Sequence, residues 1–416
     1  MSGYTRRAVR ASTIPPILAL VSALAFVPRL GAEDLVPAPP STRSVELVDR
    51  HVPVYAEPRD GARRRGTVAL GTRLPYLRRV SGSGCETGVW VEVGPSLFAC
   101  EELVRYSALE PAGVPQPPMA AGALLPFQYV FVRDDGAHGY AEPSHYFADD
   151  FVETFGEGFG LVMLGQRTLE GVSFVRLHRG TWVSSESVSR VRGSSFEGTA
   201  LSEGKPLDFA FVRTPRAIVA SAPGGRTIRR AGRREIVTVA AVEGAWARLA
   251  DGTAIRLEDL NRPELAQRPE GVEGHERWID VSVSEQVLVA YEGDRPVFVT
   301  LVSTGARRPH SETPIGTFRI WAKLATSDMG NTEDAGAESY YLIENVPWVQ
   351  FFEGANGLHA AFWHDDFGHR RSHGCVNLSP KDARFLFGFT APTVPDGYEA
   401  YLPTADERPT VVRVRE

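Results

Sequence analysis

Trp278-Ile279-Asp280-Val281-Ser282-Val283, then Val287-Leu288-Val289-Ala290-Tyr291, a Glu292-Gly293-Asp294 turn and Val297-Phe298-Val299-Thr300-Leu301-Val302 are the stretch that decides the fold class. In the first segment apolar and polar residues alternate, the pattern that puts successive side chains on opposite faces of a strand. The next two are hydrophobic runs of strand length joined by a Gly-centred turn, so a β-sheet domain begins here. Further on, Ser379 precedes Pro380-Lys381-Asp382, and a Ser N-cap with Pro in the first turn opens a helix running to Phe387. It is the one convincing helix of the chain.

Upstream, from residue 44 to about 262, short alternating segments are separated by Gly, Asp and Pro turns, with a faint internal repeat. Val54-Tyr55-Ala56-Glu57-Pro58 returns as Gly139-Tyr140-Ala141-Glu142-Pro143 and, more loosely, as Val219-Ala220-Ser221-Ala222-Pro223. Phe131-Val132-Arg133 matches Phe211-Val212-Arg213, and Trp90, Phe174 and Trp246 each stand inside a strand that follows a Gly turn. Three small β-barrels of about 60 to 80 residues fit this spacing, over 44–110, 125–195 and 207–262, a size that still holds a core.

A chain of 416 residues that is 43% hydrophobic has ample apolar material for several such cores. Its 45 basic and 51 acidic residues leave a net charge of -6, and no Lys/Arg-rich run is present, so nucleic acid is excluded as an expected partner. Residues 1–32 differ in kind. Arg6, Arg7 and Arg10 precede an apolar run over 17–27, and Leu30-Gly31-Ala32 offers small residues before Glu33-Asp34, the order of a secretory signal peptide. Pro15, Pro16 and Pro28 interrupt a run already shorter than the roughly 20 residues of a bilayer span; a retained membrane tether is the alternative. A Pro-rich linker over 33–43 follows. In an oxidising compartment Cys85 and Cys100 can close a disulfide, which leaves Cys375 as the odd thiol.

Ser372-His373-Gly374-Cys375-Val376-Asn377-Leu378 stands just before the helix, and Gly357-Leu358-His359-Ala360 a short way upstream. A nearby imidazole and a helix N-terminus both favour a thiolate, and Gly374 lets the backbone approach a carbonyl without a side chain in the way. Amides around Cys375 are placed to stabilise a tetrahedral oxyanion, the outline of an acyl-transfer site.

His359 together with Ser372-His373-Gly374-Cys375-Val376-Asn377 resembles the signature of the L,D-transpeptidase catalytic domain. Ser303-Thr304-Gly305 and Thr313-Pro314-Ile315-Gly316-Thr317-Phe318 resemble that family's upstream strand motifs. The resemblance covers 276–416 and implies a β-sandwich-like catalytic domain, while the preceding modules resemble bacterial SH3-like barrels, as wall binders or as spacers. It further implies that Cys375 attacks the carbonyl of the third residue of a peptidoglycan stem peptide, usually meso-diaminopimelate, and expels D-alanine to leave a thioester. His359 would be the base, oriented by the Ala360 carbonyl, with the amides of His373, Gly374 and Cys375 and the neighbouring Ser372 forming the oxyanion loop. The acceptor would be a second stem, an amine on a wall-attached protein, or water, and no cofactor is called for.

Many members of that family carry Arg where this chain has Asn377, so Arg371 or Arg370 is an alternative contact for a substrate carboxylate. Trp348, Phe351 and Phe352 are candidates for a lid over the peptide, with core packing as the alternative. Two rival readings remain. His359, His364, His369 and His373 with Asp365 and Asp366 are dense enough to hold zinc in a wall hydrolase, although their spacing fits no compact zinc motif. A non-catalytic wall-binding protein is the other.

Overall fold

The computed structural model describes residues 39–133, 135–331 and 340–416. The expected signal peptide over 1–32, and the linker as far as residue 38, lie outside the described residues. Among the described residues no helix is long and apolar enough to cross a membrane.

The chain is mainly β. Arg277–Ser282, Val287–Glu292 and Arg295–Leu301 are consecutive antiparallel neighbours, with Trp278 opposite Tyr291 and Val289 opposite Val299. The Val411–Arg415 strand runs parallel to the first of them, and Gly316–Arg319 pairs with its far side. Alternation sends Ile279, Val281, Leu288 and Ala290 into one core, and Trp278, Val287, Val289 and Tyr291 into another. A sheet buried on both faces explains why 287–291 reads as an unbroken apolar run. Asp280, only 1% exposed, is matched in the sheet by ion pairs with Arg413 and Arg415 of the parallel neighbour.

The first face packs on a second layer that contributes Trp348, Phe352, Leu358, Ala360, Val376, Leu378 and, from the helix, Leu386. This makes a two-sheet sandwich. The helix is Pro380–Phe389; Ser379 Oγ accepts from the Asp382 amide at 3.2 Å. The opposite face is covered by residues from earlier in the chain, Leu201, Phe209, Phe211 and Val272. Thr199–Ala200 even adds an edge strand against Val299 and Phe298.

The other strands fall into three groups. In the first, Cys85 and Cys100 form a disulfide with Cα atoms 5.6 Å apart. Its core is completed by Tyr398 and Tyr401 from the far end of the chain, because Tyr398–Tyr401 pairs with Arg64–Val68. Tyr398–Tyr401 also pairs with Ala322–Asn331, which forms a long antiparallel ladder with Tyr341–Glu353. That ladder meets the second group where Ile343 lies beside Gly160. The third group keeps its own seven-stranded sheet and core. Of the three repeat aromatics, Trp90 and Phe174 are 2% and 0% exposed and fill cores. Trp246 is only partly buried and lies under the Arg256 guanidinium, 5.0 Å from the ring centre.

Candidate active site

Two short parallel strands build the site. Asn356–Ala360 and Val376–Leu378 pair so that Leu358 is beside Val376 and His359 beside Asn377. Leu358, Ala360, Val376 and Leu378 point into the sandwich core. The intervening residues therefore face the other way, and His359, Cys375 and Asn377 line a cavity of about 460 Å³. A volume of this order suits a short peptide segment. Cys375 precedes its strand by one residue, which brings it level with Gly357, whose backbone amide favours the thiolate.

His359 is 2% exposed, and its Nδ1 lies 3.1 Å from the Ala360 carbonyl oxygen. A carbonyl only accepts, so Nδ1 carries the proton and Nε2 is left with the free lone pair. Burial pushes the imidazole pKa down to about 4, and the Ala360 carbonyl offsets only part of this. The Trp363 ring stacks beside it at 5.8 Å. Cys375 is partly exposed, with Sγ 3.7 Å from the Ala355 carbonyl oxygen. Desolvation pushes its thiol up, and the Gly357 amide works against that shift. The resting pair is thus neutral thiol and neutral imidazole.

This corrects one expectation. The helix N-terminus does not act on the thiol, because the Val376–Leu378 strand separates them and the dipole's influence is confined to the helix's first turn.

The loop before the nucleophile is tied internally. Gly374 has φ +123°, and a Cβ there would meet Asn356 Oδ1 at 2.2 Å, so the position requires glycine. Ser372 Oγ accepts from the Gly374 amide at 3.1 Å and donates to the Cys375 carbonyl. The Gly374 N–H, expected as one of three oxyanion donors, is therefore already engaged. The His373 ring stacks on Tyr341 at 5.2 Å, and its Nε2 is 3.0 Å from Arg308. The upstream motifs hold this loop from behind. Ser303 bridges Asn377, Gly305 bridges Ser372, and the Gly305 amide donates to Thr313 Oγ1 at 2.8 Å.

Arg371 lines the cavity and pairs with Asp366 at 2.6 Å. Arg370 instead faces Glu416 at 3.8 Å, outside the cavity. Trp348 and Phe351 do not reach the cavity, contrary to expectation. Trp348, 3% exposed, and Phe352, 3% exposed, are core residues, and Phe351 stacks on Trp321 at 5.5 Å. Their stretch of Tyr341–Glu353 crosses the sandwich interior, whereas the beginning of the same strand, Tyr341 and Ile343, forms the cavity wall.

Met329, Ala355, Asn356 and Trp363 also line the cavity and were not singled out from the sequence. Asn356 carried a usable signal, since it sits in the turn Gly354-Ala355-Asn356-Gly357 directly ahead of His359. The residues of the zinc alternative are not gathered. His364 Nδ1 accepts from the Asp366 amide at 3.2 Å and its Nε2 faces Asn377 at 3.0 Å, while Asp365 and Asp366 are held by arginines. Among the described residues, potential ligand atoms converge at Cys85, Cys100 and Glu102, where both sulfurs belong to the disulfide.

Residues 276–404 match the YkuD family, described as the L,D-transpeptidase catalytic domain. The Bacillus subtilis protein YciB, an L,D-transpeptidase by name, is 25% identical over 144 residues, covering 32% of this chain and 71% of that protein. Among solved structures, a mutant of Enterococcus faecium L,D-transpeptidase is 23% identical, with 34% of this chain and 50% of that chain covered and a TM-score of 0.26. L,D-transpeptidase 3 of Mycobacterium tuberculosis, in complex with a faropenem-derived adduct, is 17% identical over 39% of this chain and 73% of that one, at a TM-score of 0.27. The chain thus spans about half the length of the Enterococcus protein.

Proposed function

We propose that this protein is an exported L,D-transpeptidase that acts on peptidoglycan stem peptides through a Cys375 thioester. The observation that carries the reading is the placing of Cys375 and His359 on the same face of paired strands, within the segment that matches the catalytic family. The Ala360 carbonyl leaves His359 Nε2 free to act as a base.

In the first half-reaction the Cys375 proton passes to His359 Nε2 as sulfur attacks the carbonyl carbon of the third stem residue. The tetrahedral oxyanion is met by the His373 and Cys375 amides. The C–N bond to D-alanine then breaks, the imidazolium returns its proton to the leaving amine, and a thioester remains. In the second half-reaction an acceptor amine attacks the thioester with His359 again as base, and the thiol is restored. A second stem gives a cross-link, an amine on a wall-attached protein gives anchoring, and water gives trimming. No step calls for a cofactor.

The cavity donors suited to substrate oxygens are Asn377 and Arg371. Export is supported by the signal-like order of residues 1–32 and by the Cys85–Cys100 disulfide, a bond characteristic of oxidising compartments. The test is intact-protein mass after incubation with a tetrapeptide stem, beside release of D-alanine. A mass increase equal to the acyl tripeptide, absent in Cys375→Ala, is the expected result. Failure of the reduced wild-type protein to form an adduct with several stems would leave a wall-binding role as the better reading.

A further inference from the structure

The turn after the catalytic strand is gripped from outside its domain. Arg233 and Arg234, in the third strand group, reach Asp365 and Asp366: Arg233 Nη2 is 3.0 Å from Asp365 Oδ2, Arg233 Nη1 is 3.1 Å from Asp366 Oδ1, and Arg234 Nη1 is 2.9 Å from Asp365 Oδ1. Both arginines also donate to the Asp365 carbonyl, and Ser194 Oγ donates to its carboxylate. Arg234 is further fixed by lying over the Phe196 ring at 4.7 Å. Guanidinium forks that bond both carboxylate and backbone restrict a turn more tightly than point charges do.

The consequence runs inward. With the turn held, the Asp366 amide donates to His364 Nδ1 at 3.2 Å. Nδ1 therefore has no proton, and the neutral ring carries it on Nε2. Burial keeps the ring neutral, with its pKa pushed down to about 4. Nε2 stands 3.0 Å from the Asn377 side-chain nitrogen, while the amide oxygen is buried without a partner. Two donors do not bond, and the two ends of an amide are alike in shape. Rotating the amide by half a turn lets its oxygen accept from Nε2–H, which ties the side chain of Asn377, a residue of the cavity lining, to His364.

We propose that Arg233 and Arg234 are positioning residues of the catalytic cavity: they clamp the Asp365-Asp366 turn, which fixes His364 as its Nε2–H tautomer and thereby holds the Asn377 side chain in place at the wall that meets the donor peptide. The strand group over 207–262 is then a working part of the donor site. The substrate half of this statement rests on the transpeptidase reading; the tautomer half does not.

Two measurements on the full chain test it. Imidazole ¹⁵N shifts of protein labelled in histidine, with His364 assigned through His364→Gln, are expected to show a protonated Nε2 and an unprotonated Nδ1 in the wild type. In Arg233→Ala/Arg234→Ala that pattern should move toward a mixture of tautomers. An Nδ1–H tautomer in the wild type, or a pattern unchanged in the double variant, overturns the clamp whether or not the protein turns over stem peptides.

In parallel, the double variant should raise the donor KM by about tenfold, as expected when the cavity wall loses one hydrogen bond that holds it in place. Its rate of Cys375 alkylation by iodoacetamide should stay at the wild-type value, and Arg233→Lys should fall between the two in KM. If alkylation and melting temperature change together with KM, the arginines are merely structural and the proposal fails. If the wild type releases no D-alanine, it is the transpeptidase reading that falls, and the tautomer measurement still decides the clamp.

Discussion

The strand pair that carries His359 and Cys375 faces the cavity, the turn from His364 to Arg371 reaches it through Arg371, and the two are held by different forces. The strand pair is set by backbone register and by Leu358, Ala360, Val376 and Leu378 in the sandwich core, so His359 and Cys375 are brought to one cavity wherever the sheet forms. The turn is set by charge pairs from the third strand group and by Ser194. His359 and His364 show the contrast in one side chain. Both are buried and neutral, yet a carbonyl puts the proton of the first on Nδ1, and an amide puts that of the second on Nε2. One ring is left to accept a proton and the other to hold a neighbour. The Cys375–His359 pair is set by its own sheet, and the turn beside the cavity is tied to a neighbouring strand group.

The sharpest break comes at the reactive pair. Cys375→Ala should abolish acyl-enzyme and D-alanine release, a loss of at least about a thousandfold in turnover, and His359→Ala should cost about 10² to 10⁴-fold in kcat. Melting temperatures should barely move in either. A His359→Ala enzyme with near wild-type turnover would remove the assigned base.

Trp348→Ala tests the other side of the strand layer. Because Trp348 fills the sandwich core, truncation should cost about 3 to 5 kcal/mol in chemical denaturation, while the donor KM of the folded fraction stays put. A large change in KM at unchanged stability would return Trp348 to the cavity.

The pH profile sharpens the contrast between a neutral pair and an ion pair. His359 must be neutral to take the thiol proton, and its pKa is depressed to about 4, so kcat/KM should hold on the acid side until pH approaches that value and then fall. The Cys375 thiol is raised, so less thiolate exists at a given pH than for an ordinary cysteine, and alkylation by iodoacetamide should still be climbing at pH 9. A plateau in alkylation below pH 7 would contradict both shifts.

Removing the disulfide by Cys85→Ser/Cys100→Ser should cost about 3 kcal/mol for a loop of this length, with kcat unchanged, since it lies in the first strand group and lines no part of the cavity. The smallest effect belongs to the exposed clamp. Raising salt from 0.05 to 0.5 M (about a threefold shorter screening length) should raise the donor KM slightly. Cys375 alkylation should not respond, since partly exposed pairs such as Arg233–Asp365 are each worth roughly 0 to 1 kcal/mol.

Several features were legible in the sequence because they are local. Alternation over 278–283, the Ser379 cap, and the glycine beside the nucleophile are each dictated by a few consecutive residues, and the backbone geometry they demand is the one found. The resemblance to the L,D-transpeptidase catalytic domain rested on equally short segments, which the parallel pairing of Asn356–Ala360 with Val376–Leu378 then brings side by side. Trp348 and Phe351 were misread for a physical reason. An aromatic strand shows which residues share a face, but whether that face meets a cavity or another sheet is settled by what packs on it. Here the helix and the facing sheet bury Trp348, while Tyr341, a few residues earlier on the same strand, reaches the open cavity. Arg233 and Asp366 stand 133 positions apart. No periodicity or cap connects such a pair, because nothing local depends on it; the sequence determined which thiol and imidazole carry the motif, and the folding of the third strand group against this sheet decided what holds the turn beside the cavity.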